Sequence, residues 1–466
     1  MTGTVLEQQT KPSCGSEQQR VACAIGGIYT ILAIEKVLPI MHSGPGCQQN
    51  AGGVLGRFNG AQSGVSYPES VIPSTNFCER DVVFGATGRL RQLVAKSMDY
   101  YQSDMFFIVD GCTSEIVGDD IEEVAGDFQD RGKPVLFAKL PGFKGNNLWG
   151  HSQVLNAIID QYLKETDHIN DKQVNIFGIV PYYDSFWQAT LEELEKLLRV
   201  LGLEPNSIYG RGKGVPALQK IPEAAFNLVL APWTDLDTVE KLQEKFGTPF
   251  FHYPCVPIGP TETARFVWAL TEYAGLDKTK SGEYIQQEES RYYYYIKNAV
   301  KVFGGGTQTP RKFFINSSAA QTLSLTRFLV NDWWMTPQKI FIIDDVPEKH
   351  QERITGELRN VEYDRADEFD VVFTTDGGLC DVEIKKEDFL FKKACLFGTA
   401  WDQLTANYKQ LPFVRVSAPY GDSVIGNKTY FGWNGALTFL QDLHDDITSK
   451  ILGSGVVVKL DDIGGH

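Results

Sequence analysis

Met105-Phe-Phe-Ile-Val-Asp-Gly-Cys-Thr-Ser-Glu-Ile-Val-Gly-Asp-Asp120 is the stretch whose reading decides the fold. Its first five residues form an unbroken apolar run of strand length, the signature of a strand buried on both faces. Asp110 and Gly111 then turn the chain, and helical spacing follows over Ser114–Arg131. A buried strand that hands over to a helix through a short polar loop is the repeating unit of a parallel α/β layer, because parallel strands need a crossover between them.

The same alternation extends in both directions. Toward the N-terminus it predicts a strand at Val37–Met41 and a helix over Glu79–Tyr101; after the helix it predicts a strand at Pro134–Lys139. A second series has strands at Val174–Val180, Asn227–Ala231 and Pro249–Tyr253, with helices near Trp187–Gly202, Leu236–Phe246 and Thr261–Ala274. A long polar and aromatic helix, Ser281–Val302, leads to the glycine run Gly304–Gly306, read as a hinge. The third series has strands at Lys312–Asn316, Lys339–Ile343, Asp370–Thr374, Ala394–Phe397 and Phe413–Val416, and a last helix over Gly435–Ile451. The fold class is α/β with mainly parallel sheets flanked by helices. Three domains are expected, over residues 1–170, 171–303 and 304–466.

Composition sets outer bounds. A chain of 466 residues with 42% hydrophobic and 22% charged residues is that of an ordinary globular protein. Its net charge of −15 argues against nucleic acid as a partner, since that affinity comes from clustered cations. The first twenty residues lack the apolar core of a signal peptide, and no apolar run reaches membrane-spanning length. The expected setting is the cytoplasm, without membrane attachment. Eight cysteines are too few and too scattered for a disulfide framework, so each needs its own explanation.

Two cysteines follow strands of one predicted sheet, where α/β proteins collect their functional groups. Cys47 lies in His42-Ser-Gly-Pro-Gly-Cys47 after the first strand; Cys112 lies in the opening stretch after the second. Cys23, in Val21-Ala-Cys-Ala-Ile-Gly-Gly27, precedes the sheet by one short helix and can fold back over the same edge. Three converging thiolates suit an iron–sulfur cluster, since soft sulfur selects Fe–S, Zn or Cu(I). The set is one short of a conventional four-ligand cluster, a deficit that sharing across a subunit interface would resolve. The plainer alternative, favoured on spacing alone, is that these are small buried hydrophobes. Cys14 is read as a spectator, Cys78 as structural at a helix start, Cys255 as part of a turn, and Cys380 and Cys395 as core. No phosphate-binding Gly-x-x-x-x-Gly-Lys-Ser/Thr, complete Gly-x-Gly-x-x-Gly, His-Glu-x-x-His or Cys-x-x-Cys occurs.

Taken together, the three cysteine neighbourhoods resemble the β subunit of nitrogenase component 1 and its relatives. Gly111-Cys-Thr-Ser-Glu-Ile-Val-Gly-Asp-Asp120 is similar to the family's Cys-x-x-Glu-Val/Ile-Ile-Gly-Asp-Asp signature. His42-Ser-Gly-Pro-Gly-Cys47 is similar to its His-Gly-x-x-Gly-Cys, and Val82-Val-Phe-Gly85 to its Val-Phe-Gly-Gly. The resemblance implies three Rossmann-like domains and an [8Fe-7S] P-cluster lying between α and β subunits, with three cysteines from each. Cys47 would be the bridging ligand, and Cys23 and Cys112 terminal ligands. Phe84 would lie at the docking surface for an ATP-dependent [4Fe-4S] reductase. Electrons would pass from that reductase through the P-cluster to an iron–sulfur catalytic cofactor in the α subunit, within an α2β2 assembly.

The family's α chains hold the catalytic cofactor by a middle-domain cysteine and a third-domain histidine. Asn227-Leu-Val-Leu-Ala-Pro-Trp233 has no cysteine and Val414-Arg-Val-Ser-Ala-Pro-Tyr-Gly421 no histidine, which favours the β type. Two departures stand out. Pro141-Gly142-Phe143 replaces the Pro-Ser-Phe of β chains, whose serine can ligate an oxidised P-cluster, and a glycine-rich tract covers Asn50–Gly64. They point to the nitrogenase-like branch, with methylthio-alkane reductase the nearest member. That group reduces C–S bonds of small thioethers. The alternatives are a dinitrogen-reducing β subunit and a cofactor-assembly scaffold subunit; dark-operative protochlorophyllide reductase fits less well.

Overall fold

The computed structural model describes residues 20–58, 72–301, 309–387, 394–421 and 423–453. Twelve strands among these residues form three sheets. The first contains β1 (Val37–His42), β2 (Met105–Asp110) and β3 (Val135–Lys139), in that order. The second contains β4 (Asn170–Phe177), β5 (Glu204–Ser207), β6 (Ala224–Leu230) and β7 (Phe250–Tyr253), ordered β5-β4-β6-β7. The third contains β8 (Lys312–Ser317), β9 (Thr336–Ile342), β10 (Val371–Phe373), β11 (Cys395–Gly398) and β12 (Phe413–Arg415), ordered β10-β9-β8-β11-β12. Every ladder between these strands is parallel. The expected class, α/β with parallel sheets flanked by helices, is the observed one.

The apolar run Met105–Val109 is buried on both faces, as its composition requires. Phe107 and Val109 point into a core that continues beneath all three sheets and includes Leu228, Val229, Phe313 and Ile315. Phe106 and Ile108 face the other way, onto Leu90, Val94 and Val124. Burying about 25 cal/mol per Å2 of apolar area on both sides makes this strand a rigid support for whatever follows its carboxyl end. In the third sheet the chain order reverses between β8 and β11, which opens a crevice at their carboxyl ends.

The differences from the sequence reading have local causes. The helix expected over Glu79–Tyr101 is two helices, Glu79–Phe84 and Thr87–Tyr100, and that over Ser114–Arg131 is Cys112–Val117 and Ile121–Gln129. Both breaks fall at glycines with positive φ, Gly85 at 77° and Gly118 at 81°, a conformation that terminates helices. Cys47 lies in the first turn of a helix, Pro45–Phe58, just after β1, as the reading of its loop-to-helix position implies. Strand β5, polar and containing Pro205, sits at a sheet edge where proline is tolerated, and was not foreseen. Cys14, the run Gly304–Gly306 and the part of the Asn50–Gly64 tract beyond Phe58 lie outside the described residues.

Candidate functional site

β1 and β2 pair in register from Val37 against Met105 to His42 against Asp110, so the two strands end side by side. The chain leaving β1 starts the Pro45–Phe58 helix and the chain leaving β2 starts the Cys112–Val117 helix. Cys47 and Cys112, 65 residues apart, thereby open onto the same edge. Ser43 Oγ donates to Cys47 Sγ at 3.2 Å. A Cβ placed on Gly111 would come within 2.4 Å of Ser43 Oγ and 3.7 Å of Cys47 Sγ, so glycine is what lets the two loops approach.

Cys23 arrives from a third direction, N-terminal to the 3-10 turn Ala24–Gly27. Ala22 N donates to Asn147 Oδ1 at 2.8 Å, Asn147 N donates to Ala22 O at 2.9 Å, and Cys23 bridges to Asn146. The Cys23 and Cys112 segments meet at Gly142. Its N–H donates to Cys112 Sγ at 3.1 Å, and a Cβ there would lie 2.5 Å from Cys23 Sγ and 3.5 Å from Cys112 Sγ. Burial pushes the Cys23 thiol above its ordinary value, with Cys112 and Cys47 adding to the effect. Cys23 is exposed, and Cys47 and Cys112 are half-buried.

Phe84 ends the Glu79–Phe84 helix and is 79% exposed, beside exposed Val82, Val83 and Ile116. The turn after it is held by Asp119, from the Gly118-Asp119-Asp120 motif. The Asp119 carboxylate accepts from Ala86 N at 2.9 Å, Thr87 Oγ1 at 3.2 Å and His42 Nε2 at 3.0 Å. A carboxylate only accepts, so His42 carries its proton on Nε2 and Nδ1 faces Thr75 Oγ1 at 3.2 Å. Burial holds His42 below its ordinary value despite the carboxylate. Asp119 thus ties the exposed apolar turn to the strand that delivers Cys47. Sequence reading singled out the motif but not this role, nor Ser43, Asn146 and Asn147.

Among the described residues no three His, Cys, Asp or Glu side chains are arranged to hold a single metal ion. Three thiols from three segments, with a backbone N–H aimed at one and a glycine clearing the space before two, fit a multi-atom sulfur-ligated group instead. The other described cysteines lie elsewhere. Cys78 is exposed at a helix start, Cys255 is buried against Glu262, and Cys380 and Cys395 are buried in the third sheet's layers.

The family model for nitrogenase component 1 type oxidoreductases matches residues 22–448. The chain belongs to that family. Within it, this component-1-type chain is 24% identical over 464 residues to the nitrogenase molybdenum-iron protein beta chain of Methanococcus maripaludis, with 92% of each chain covered. It is also 24% identical to a chain of the light-independent protochlorophyllide reductase of Synechococcus sp. (strain JA-3-3Ab), over 91% of this chain and 82% of the relative. The solved structure of nitrogenase Cp1 at pH 6.5 superposes with a TM-score of 0.78 over 96% of both chains at 19% identity, a likeness of fold. As a component-1-type chain it is an oxidoreductase subunit. No helix among its described residues is long and apolar enough to cross a membrane.

Proposed function

We propose that this chain is the β-type subunit of the catalytic component of a nitrogenase-like reductase, with Cys23, Cys47 and Cys112 holding half of an interfacial [8Fe-7S] P-cluster. The observation that carries the reading is the convergence of three thiols at one edge of the first sheet, Cys23 and Cys112 at Gly142 and Cys47 at Gly111, in a crevice that stays open on the surface of the single chain. A homologous α subunit, in an α2β2 assembly, would close the crevice and complete the ligand set. Bound there, the cluster would relay electrons from an ATP-dependent [4Fe-4S] reductase to an iron–sulfur catalytic cofactor in the α subunit. The chain's own residues set the stage: Phe84, Val83 and Ile116 offer the reductase an apolar patch, Asp119 braces it, and Gly142 keeps the thiols unobstructed.

The β assignment draws support from the space between the second and third sheets. Phe186 packs edge-on against both Tyr420 and Tyr430 there, and the cavity beside Tyr183, Ser417 and Tyr430 is about 30 Å3, room for a water or two rather than a cofactor. For substrate we favour small methylthio-alkanes, whose C–S bond takes up two electrons and two protons to release a thiol and a hydrocarbon. The support is the pair of departures at Gly142 and Asn50–Gly64. The purified complex with its reductase and ATP should cleave ethyl methyl sulfide. Ammonia from dinitrogen without thioether cleavage would favour the dinitrogen-reducing alternative. Transfer of a bound cofactor to another apoprotein with neither activity would favour a scaffold subunit.

A further inference from the structure

Arg20 lies three residues before Cys23 and is 0% exposed, yet its side chain is buried not in the first sheet's layer but in the third's. The guanidinium fills the crevice where the strand order reverses between β8 and β11. Nη1 donates to Thr399 Oγ1 at 2.5 Å and Nη2 to Asp402 Oδ1 at 2.7 Å. Arg20 N donates to Thr375 O at 3.2 Å, and the guanidinium carbon lies 5.1 Å from the centre of the Trp401 ring. Asp402 is itself saturated, accepting from Asn316 Nδ2 at 2.8 Å, Thr399 N at 2.7 Å and Thr399 Oγ1 at 2.8 Å. Glycines make the room: a Cβ on Gly377 would meet Arg20 Nε at 2.0 Å, and one on Gly398 would meet Asp402 Oδ2 at 2.6 Å. The site at which open α/β sheets commonly receive a ligand is here taken by the protein's own arginine.

We infer that Arg20 is the positioning residue for Cys23: the third sheet's crevice grips its guanidinium and so fixes where the Cys23 thiol meets those of Cys47 and Cys112. Three residues of chain reach at most about 10 Å, so an anchor at Arg20 confines Cys23 closely. The Asn147 clamp on Ala22 holds the segment from the other side, and Asn146 Nδ2 in turn reaches Asp345 Oδ2 at 3.3 Å. The third sheet, which supplies none of the three thiols, thereby sets their geometry. The inference deepens the proposed role of Cys23 and rests on it only for what it means for a cluster.

The test uses the isolated full-length chain and dibromobimane, which fluoresces once both arms have joined two neighbouring thiols; the linked peptides are assigned by mass spectrometry. The Cys23–Cys112 link should form in the unaltered chain. It should fall at least about fivefold in Arg20→Ala, a modest effect for breaking a buried charge pair. Gly377→Ala, whose methyl expels the guanidinium from the opposite side, should show the same loss. Added methylguanidinium should restore the link in Arg20→Ala, where it can refill the crevice, and not in Gly377→Ala. A normal link in Arg20→Ala, whatever its melting temperature, would overturn the inference by leaving Arg20 only a stabilising role. Should Arg20→Ala fail to accumulate folded, Gly377→Ala and Thr399→Val carry the comparison, and normal links in both overturn it equally. Normal iron content in Cys23→Ala complex would sink the ligand role instead, and would leave the positioning result standing.

Discussion

The backbone N–H of Gly142 points at Cys112 Sγ from 3.1 Å, and the side chain that Gly142 lacks would fall 2.5 Å from Cys23 Sγ. The constraint is space, because Gly142 has no left-handed φ to demand glycine. Gly142→Ala should therefore displace the exposed Cys23 thiol at little cost in stability, within about 1 kcal/mol. The complex should lose part of its iron and not all of it, since the β chains that carry serine here hold a cluster beside its Cβ. Iron per chain and a thermal melt read the two effects separately; full iron content would show that the space before Cys23 is not needed. In the unaltered protein, no oxidised state can carry an alkoxide from residue 142.

Asp119 joins three donors from two segments, so removing its carboxylate strands buried N–H groups of Ala86 and His42. Asp119→Ala should cost about 3 kcal/mol, the range for leaving buried donors unpaired. Urea unfolding of the full chain should show a lower midpoint at unchanged slope. An unchanged midpoint would mean that the Gly118-Asp119 turn is not the brace described.

Much of this was legible in the sequence for a plain reason. Val37–Met41 and Met105–Val109 are unbroken apolar runs, and such runs pair as buried parallel strands whose ends coincide, which brings Cys47 and Cys112 to one edge. For Cys23 the sequence shows only that it can fold back, because its clamps, Asn146 and Asn147, lie more than 120 residues away. Arg20 was invisible in the same way: its partners at Thr399 and Asp402 come from another sheet. The helix breaks at Gly85 and Gly118 were missed because a glycine within a helical pattern marks a stop only when something caps the helix that follows, here Asp119 after Gly85 and Asp120 after Gly118.

Phe84 is exposed on a braced turn and makes no part of the core. Phe84→Ala should leave the cluster spectra and folding unchanged while weakening reductase binding about tenfold or more, the scale of an aromatic anchor at an interface. Reductase-dependent ATP hydrolysis and turnover, titrated against reductase, measure this. Unchanged half-saturation would place the docking face elsewhere.

Burial, with Asp344 and Asp235 nearby, pushes Asp184 up to about 7 from its ordinary 3.8. The folded chain then binds a proton that the unfolded chain has released, so this group makes stability fall as pH rises from about 4 toward 7. Asp184→Asn, which keeps an acceptor for Val180 N, should flatten that slope. It should stabilise the chain by about 2 kcal/mol at pH 8, and by less at pH 5. Parallel stability–pH curves for the two proteins would contradict the assignment.

Cys47 accepts from Ser43 and lies against Gly111, the residue before Cys112, and is the thiol proposed as the bridging ligand. The most direct measurement is the iron content and low-temperature electron paramagnetic resonance of the anaerobically purified complex carrying Cys47→Ala, beside the unaltered complex. The variant, still folded and still paired with its α subunit, should lose the interfacial cluster's iron and its signals in oxidised samples. Unchanged iron and unchanged spectra would contradict the shared-cluster role.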